Sequence, residues 1–348
     1  MVIMVHTSQY FGCVGIDNVD RALGCGMYGV QLFFVASAFT LFLSYKNRMK
    51  KEKLYKSNFF IRRFFRIAPL YYLGLVYYFF IQGGHRVSSF TNFAEIVANV
   101  FFVNDFYPEW INHIVPGGWS VAVEMTFYLV LPILFARIKN IRQAVNALLV
   151  AIAANAILRQ IMLLIPVDIQ PGWIYTEFLY YWFPSQLPVF LMGIILYFLV
   201  VEKNTLKEVS PWAFAILAVA LVANKMFDLH LFLFDNVIFA FFFLVFAYAL
   251  SEKPIKIFVN PITQYIGKIS FSMYLVHFAI MFWLEKFGCI PSFSVHPILN
   301  YTMWYLLVVT ITVAISTITY YCVEQPFQNL GKRLIRNRES KLSMVEIK

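Results

Sequence analysis

The side chains able to do chemistry in this sequence are few, and they stand among apolar neighbours. Glu124 follows Trp119 and Ser120 and precedes a mostly apolar run to Pro132. It lies about one and a half turns inside a helix that starts near Trp119. A carboxylate there can orient an imidazole or handle a proton in a polar cavity, or it can pair structurally with an arginine. His6 directly follows an apolar run and precedes Thr7, Ser8 and Gln9. An imidazole titrates near neutrality, so it suits a base or an acyl acceptor, or an interfacial hydrogen bond. His277 falls near the middle of an apolar segment, where the choice is between chemistry and a helix–helix hydrogen bond.

The densest constellation is basic. Arg62, Arg63 and Arg66 precede Pro69 within an aromatic stretch. Spacings of three and four bring guanidinium groups onto one helical face. Paired guanidinium groups suit phosphate oxygens, and they also anchor lipid headgroups. Ser37 and Ala38 form a small-residue patch after Gly29, where helices or a slim ligand can approach the backbone. Glu324, just before Pro326, reads as a helix-end contact or as a neutraliser of a basic site. Trp119, Trp173, Tyr180 and Tyr181 can stack on a sugar, or belong to an interfacial aromatic belt. Arg159 is near enough to a span end to snorkel.

Other chemistries lack their motifs. There is no nucleophile elbow, HExxH pair, P-loop or dinucleotide fingerprint. None of Cys13, Cys25, Cys289 and Cys322 forms a CxxC pair, so no metal site is expected. The net charge of +10 could suggest nucleic acid, but no groove-reading or stacking motif accompanies it, and none is expected as a partner.

These residues must be held by elements that suit a bilayer. The chain has 348 residues, 61% hydrophobic and only 13% charged, with a mean hydropathy of +0.69. Soluble domains run about 25% charged. The composition therefore specifies an all-α polytopic membrane protein. Spans are expected near 27–45, 67–82, 119–136, 144–165, 184–201, 211–227, 234–250, 267–287 and 301–323. The apolar segment 93–103 is too short to cross. Loop charge sets the sides. The basic stretch 46–66, residues 137–143, Lys203 and Lys207, residues 253–268 and the tail with Lys332, Arg333, Arg336, Arg338 and Lys341 fall on one side, read as cytoplasmic. Segments 83–118, 166–182 and 288–300 fall on the other.

By this parity residues 7–26 lie opposite the basic loops, reached through a first helix. Only five residues precede His6, and at about 1.5 Å each they cannot cross about 30 Å. The expectation is about ten transmembrane helices with the first cut short, or an interfacial stub. The division is a membrane domain over 1–330 and a short cytoplasmic basic tail over 331–348, expected to be disordered.

Taken in order, these segments resemble the acyltransferase-3 family of integral-membrane acyltransferases. The resemblance rests on His6, the Gly29–Phe39 segment, Arg63 with Arg66 and Pro69, and Trp119 with Ser120, Glu124, Tyr128 and Pro132. It continues through Leu187 to Gly193, Gly267 with Ser270, Tyr274 and His277, and Glu324 with Pro326. It implies transfer of an acyl group, usually acetyl from acetyl-CoA, to a hydroxyl of a cell-surface or lipid-linked polysaccharide such as lipopolysaccharide, in the plasma (inner) membrane. Acetyl-CoA or another acyl-CoA is then a donor substrate, and no cofactor is permanently bound. His6 is the expected base or acyl carrier and Glu124 its orienting group. Arg63 and Arg66 take the phosphates, with the pantetheine arm beside Ser37. The family's first-helix arginine, eleven residues before the histidine, would precede Met1, and Ala38 stands where the family has glycine. Two other readings stay open: a transporter or flippase for a lipid-linked sugar or small anion, and a catalytically degenerate family member.

Overall fold

A computed structural model describes residues 1–12, 14–82, 90–167, 169, 171–203, 235–287 and 293–345. Among them every regular element is helical. A short helix α1 (Val2–Phe11) carries His6 and is followed by α2 (Asp17–Gly24). Helices α3 (Gly29–Met49) and α4 (Tyr55–Gln82) flank the basic loop. Helix α5 (Phe90–Val100) is the short apolar segment, too short to cross. Helices α6 (Gly118–Arg137) and α7 (Ile141–Leu164) follow, then α8 (Trp173–Tyr181) and α9 (Phe183–Val200). The last are α10 (Asp235–Glu252), α11 (Pro261–Lys286), α12 (Pro297–Thr319) and α13 (Gln325–Val345).

In hydrocarbon a backbone must satisfy its own hydrogen bonds, which makes helices of these apolar stretches. Eight helical stretches among the described residues are long and apolar enough to cross a membrane. They match eight of the nine expected spans, and the ninth, 211–227, lies outside the described residues. The chain is a multi-pass membrane protein.

Helix α9 is the centre of the bundle. It packs against α3, α7 and α10, and the span that contains it is the most buried of the eight. Phe190 stacks on Phe127 of α6 at 4.0 Å and meets Phe34 of α3 at 4.5 Å. Gly193 permits the closest approach. A Cβ there would collide with the Val35 carbonyl oxygen and lie 2.7 Å from the Ala38 methyl.

The ends of the bundle sort as the loop charges require. Lys46 pairs with Glu202, and Tyr45 packs on Phe135 just before the 137–143 loop. Glu339 of α13 accepts hydrogen bonds from the amides of Lys53 and Leu54 and from Asn58 Nδ2. The basic loops and the carboxyl-terminal helix thus share one end. At the other end Phe11 stacks on Trp304, and α8 lies beside residues 108–110.

The tail differs from expectation. Residues 325–345 form a helix rather than a disordered segment. Composition missed the stripe of buried Gly331 and Ile335 and half-buried Glu339, spaced by four, along which α13 lies on α4. Gly331 lets it meet Phe65 closely.

Candidate functional site

The arginines are separated by their partners. Arg62 makes a two-pronged bond to Glu52, at 3.1 and 2.7 Å, and Arg48 adds a third contact at 2.9 Å. Burial pushes the Glu52 carboxyl up, but these bonds and one from Asn58 outweigh it and hold it below the usual carboxylate range. Arg62 is thereby committed to structure. Arg63 and Arg66 point elsewhere. The Arg63 guanidinium lies 6.0 Å from the ring centres of Phe59 and Tyr128, and its buried Nε has no hydrogen-bond partner.

Glu124 is buried on α6. Ser37 Oγ of α3 donates to its Oε1 at 2.6 Å. Tyr128, one turn further along α6, bonds the same carboxylate, and the charges of Arg63 and Arg66 act on it. A line of polar groups therefore runs from Ser37 through Glu124 and Tyr128 to Arg63. A second buried carboxylate, Glu324, accepts from Ser272 Oγ and feels Arg66. It ends a π-helical turn, Tyr320–Glu324, between α12 and α13. Such turns re-aim side chains within helices and are frequent at functional sites.

The histidines meet from opposite ends of the sequence. The His6 and His277 ring centres are 5.5 Å apart, and Phe278 packs against both. His6 Nδ1 lies 2.7 Å from Gln9 Oε1, an acceptor, so that nitrogen carries the proton and Nε2 carries the lone pair. His277 Nδ1 is 3.1 Å from the Met273 carbonyl oxygen, with the same consequence for its tautomer.

A cavity of about 330 Å³ touches the first cluster at Glu124 and the second at His277. Glu124, Ser120, Tyr274 and His277 supply polar groups to its lining, and Val30, Phe33, Val121, Ile266 and Phe271 contribute apolar walls. Its rim is rigid. The Tyr274 hydroxyl donates to the Gly117 carbonyl at 2.9 Å and receives Ser120 Oγ at 2.9 Å. Gly117 has φ 74°, in the left-handed region, and a Cβ there would lie 2.5 Å from the Tyr274 hydroxyl, so the turn requires glycine.

Of the expected residues, Ser37, Glu124, Arg63 and Arg66 form one cluster, and His6 and His277 form another. The expected pairing of Glu124 with His6 is not made: the carboxylate bonds Ser37 and Tyr128, and the imidazole bonds Gln9. Trp119 is buried with Tyr181 stacked on it at 4.3 Å, so its face is covered; Trp173 is exposed. Gln9 was given no role, and Tyr128 was named only as part of a motif, although each lies three or four residues from a candidate on the same helical face.

Comparisons with known proteins bear on the family of the chain. The profile of the acyltransferase-domain family, Acyl_transf_3, matches residues 1–321. A Staphylococcus aureus (strain MRSA252) protein named "Putative O-acetyltransferase" is 23% identical, over 90% of this chain and 55% of its own length. The O-acetyltransferase OatA of S. aureus strain NCTC 8325 is 24% identical, over 89% of this chain and 54% of its own. The chain thus spans about half the length of these relatives. No solved structure matches it significantly. By its match over nearly the whole sequence, the chain belongs to the acyltransferase-3 family.

Proposed function

We propose that the chain is a membrane-embedded O-acetyltransferase that moves acetyl from acetyl-CoA to a hydroxyl of a cell-surface or lipid-linked polysaccharide. The observation that carries this reading is the cavity lined by Glu124 and His277, the first held by Ser37 and the second beside His6. Its apolar walls suit a slim alkyl arm. The arginines at the basic end suit phosphates.

The chemistry assigned to each residue follows from the hydrogen bonds. Arg63 and Arg66 take the phosphates of the donor. His6 Nε2, freed by the Gln9 contact, accepts the proton of the acceptor hydroxyl. The alkoxide oxygen attacks the thioester carbonyl, the carbon–sulfur bond breaks, and the imidazolium returns the proton to the departing thiolate. The products are the acetyl ester and free coenzyme A thiol. Glu124 balances the arginine charge in the low-dielectric interior and is fixed by Ser37. The relatives' names favour this reading over transport, which consumes no acetyl donor.

The test is thiol release and label transfer from radiolabelled acetyl-CoA to glycan by membranes carrying the protein. His6→Ala is expected to lower the rate about 10²-fold or more, the usual contribution of a general base. A His6→Ala protein that transfers label at the unmodified rate sinks the assignment. Membranes that release no thiol in response to the protein sink the reaction itself.

A further inference from the structure

His277 has a nitrogen the mechanism above does not use. The imidazole is fully buried, with 0% of its surface exposed. Its Nδ1 is committed to the Met273 carbonyl oxygen. A carbonyl only accepts, so Nδ1 holds the proton and Nε2 is a bare lone pair. That Nε2 is buried and has no hydrogen-bond partner. Buried acceptors without a donor are rare and costly in native structures.

None of the neighbouring side chains supplies the donor, and the Met1 amino group, which lines the same cavity, makes no hydrogen bond to Nε2. Tyr274, with its ring centre 5.9 Å from that of His277, gives its hydroxyl proton to the Gly117 carbonyl. His6 gives its one ring proton to Gln9. Phe278 has none to give. What remains on the open side is the cavity that His277 lines. A ligand in the cavity can bring the donor.

We propose that His277 Nε2 accepts the hydrogen bond of the pantetheine amide N–H nearest the donor's sulfur. This rests on the acyl-CoA donor of the preceding section and names the contact that holds it. The argument is one of reach and of solvent. The thioester carbonyl carbon and that amide nitrogen are separated by sulfur and two methylenes, about 5 Å when extended. The two imidazole rings are 5.5 Å apart. A thioester carbonyl held beside His6 therefore has its first amide within reach of His277, the one of the two imidazoles that lines the cavity. The walls here are Val121, Phe271 and Val30, apolar surfaces that favour an alkyl arm with isolated amides over a hydroxyl-rich sugar. The contact fixes how far the arm has risen, and so places the carbonyl carbon against the base.

The experiment compares acetyl-CoA with its isosteric analogue in which this amide is an ester, N–H replaced by oxygen. Both are assayed against wild-type protein, His277→Phe and His277→Gln in lipid nanodiscs. Thiol release gives kcat/KM, and calorimetry gives Kd. Wild type is expected to lose about tenfold in kcat/KM with the ester analogue, the usual penalty for an acceptor left without its donor. His277→Phe, with no acceptor, is expected to lose about tenfold with acetyl-CoA and nothing further with the analogue. His277→Gln, which keeps an acceptor oxygen, should retain the preference for the amide. If His277→Phe does not fold, the wild-type and His277→Gln ratios still decide.

A wild type indifferent to the ester overturns the proposal. An equal penalty in wild type and His277→Phe also overturns it, because the amide is then read elsewhere. A coupling of His277 to removal of an acceptor hydroxyl, in place of the amide, transfers the nitrogen to the acceptor and overturns it too. Binding that depends on the amide and on His277, without thiol release, sustains this contact and defeats the proposed reaction. Absence of binding defeats both.

Discussion

At the scale of residues, one hydrogen bond decides what His6 can do. Gln9 lies three positions on, and its side-chain oxygen holds the Nδ1 proton at 2.7 Å. A histidine free to change tautomer would present a lone pair to the acceptor only part of the time. Gln9→Ala is therefore expected to lower kcat about tenfold while leaving KM for the acyl donor unchanged, and Gln9→Glu to retain activity. Equal changes in kcat and KM would show that Gln9 serves only packing. Asp105, outside the spans, makes a different prediction. It is buried, and among the described residues its Oδ1 has no partner and Thr126 is its one side-chain donor, at 3.5 Å. Burial pushes its carboxyl from 3.8 up to about 7. A raised carboxyl stabilises the fold fully below its unfolded value and ceases to do so as pH rises through the folded one. The thermal midpoint of the detergent-solubilised protein should fall as pH rises from about 4 to about 7 and level off above that, by on the order of a few kcal/mol in stability. Asp105→Asn should flatten that slope, and an unchanged slope would show that other groups set it.

At the scale of elements, the bundle is assembled where backbones can touch. Helices α3 and α9 meet at Gly193 and Ala38. The Ala38 methyl is accommodated because Gly193 opposite has none. Gly193→Ala puts a second methyl in the same space, against the Val35 carbonyl. Overpacking of this kind costs about 1–3 kcal/mol. The expected result is a lower thermal midpoint, partly restored when Ala38→Gly is added. A Gly193→Ala protein as stable as wild type would mean that α9 can shift away from α3. The same contact holds Ser37 opposite Glu124, so the variant should also weaken transfer. The spans themselves were legible from runs of apolar residues, because a bilayer leaves a backbone few alternatives. The helix of residues 325–345 was not, because its apolar stripe is thin and its composition polar.

At the scale of the whole molecule, the two ends of the chain close on the bundle. Helix α1 brings His6 to His277, and α13 brings Glu339 back to the start of α4. Glu339 accepts three hydrogen bonds there, at 3.2, 3.0 and 2.7 Å. It acts as a capping carboxylate supplied from a distant helix. Glu339→Ala is expected to cost about 1 kcal/mol, in the range of a lost helix cap. Its clearest sign should be faster proteolysis and hydrogen exchange across residues 325–345, with the spans unaffected. An unaltered exchange rate would mean that the Gly331 and Ile335 stripe holds α13 alone. Because α4 also carries Arg63 and Arg66, loosening α13 should weaken donor binding more than it slows turnover.

The amino-acid sequence by itself determined the solvent, the spans, the grouping of the basic loops and the short roster of ionisable groups among apolar neighbours. It did so because hydrocarbon penalises every unpaired polar group, so those that remain declare themselves one at a time. Only the tertiary structure decided which of them meet. Ser37 and Glu124 are 87 positions apart, and no local period relates them. Spacing left Glu124 free to serve His6; packing gave it to Ser37 and Tyr128, and gave Gln9 to His6. The three arginines looked alike in sequence until Glu52 claimed Arg62. Helix contacts in a membrane are chosen by shape, as at Gly193, and shape exists only once the helices are packed.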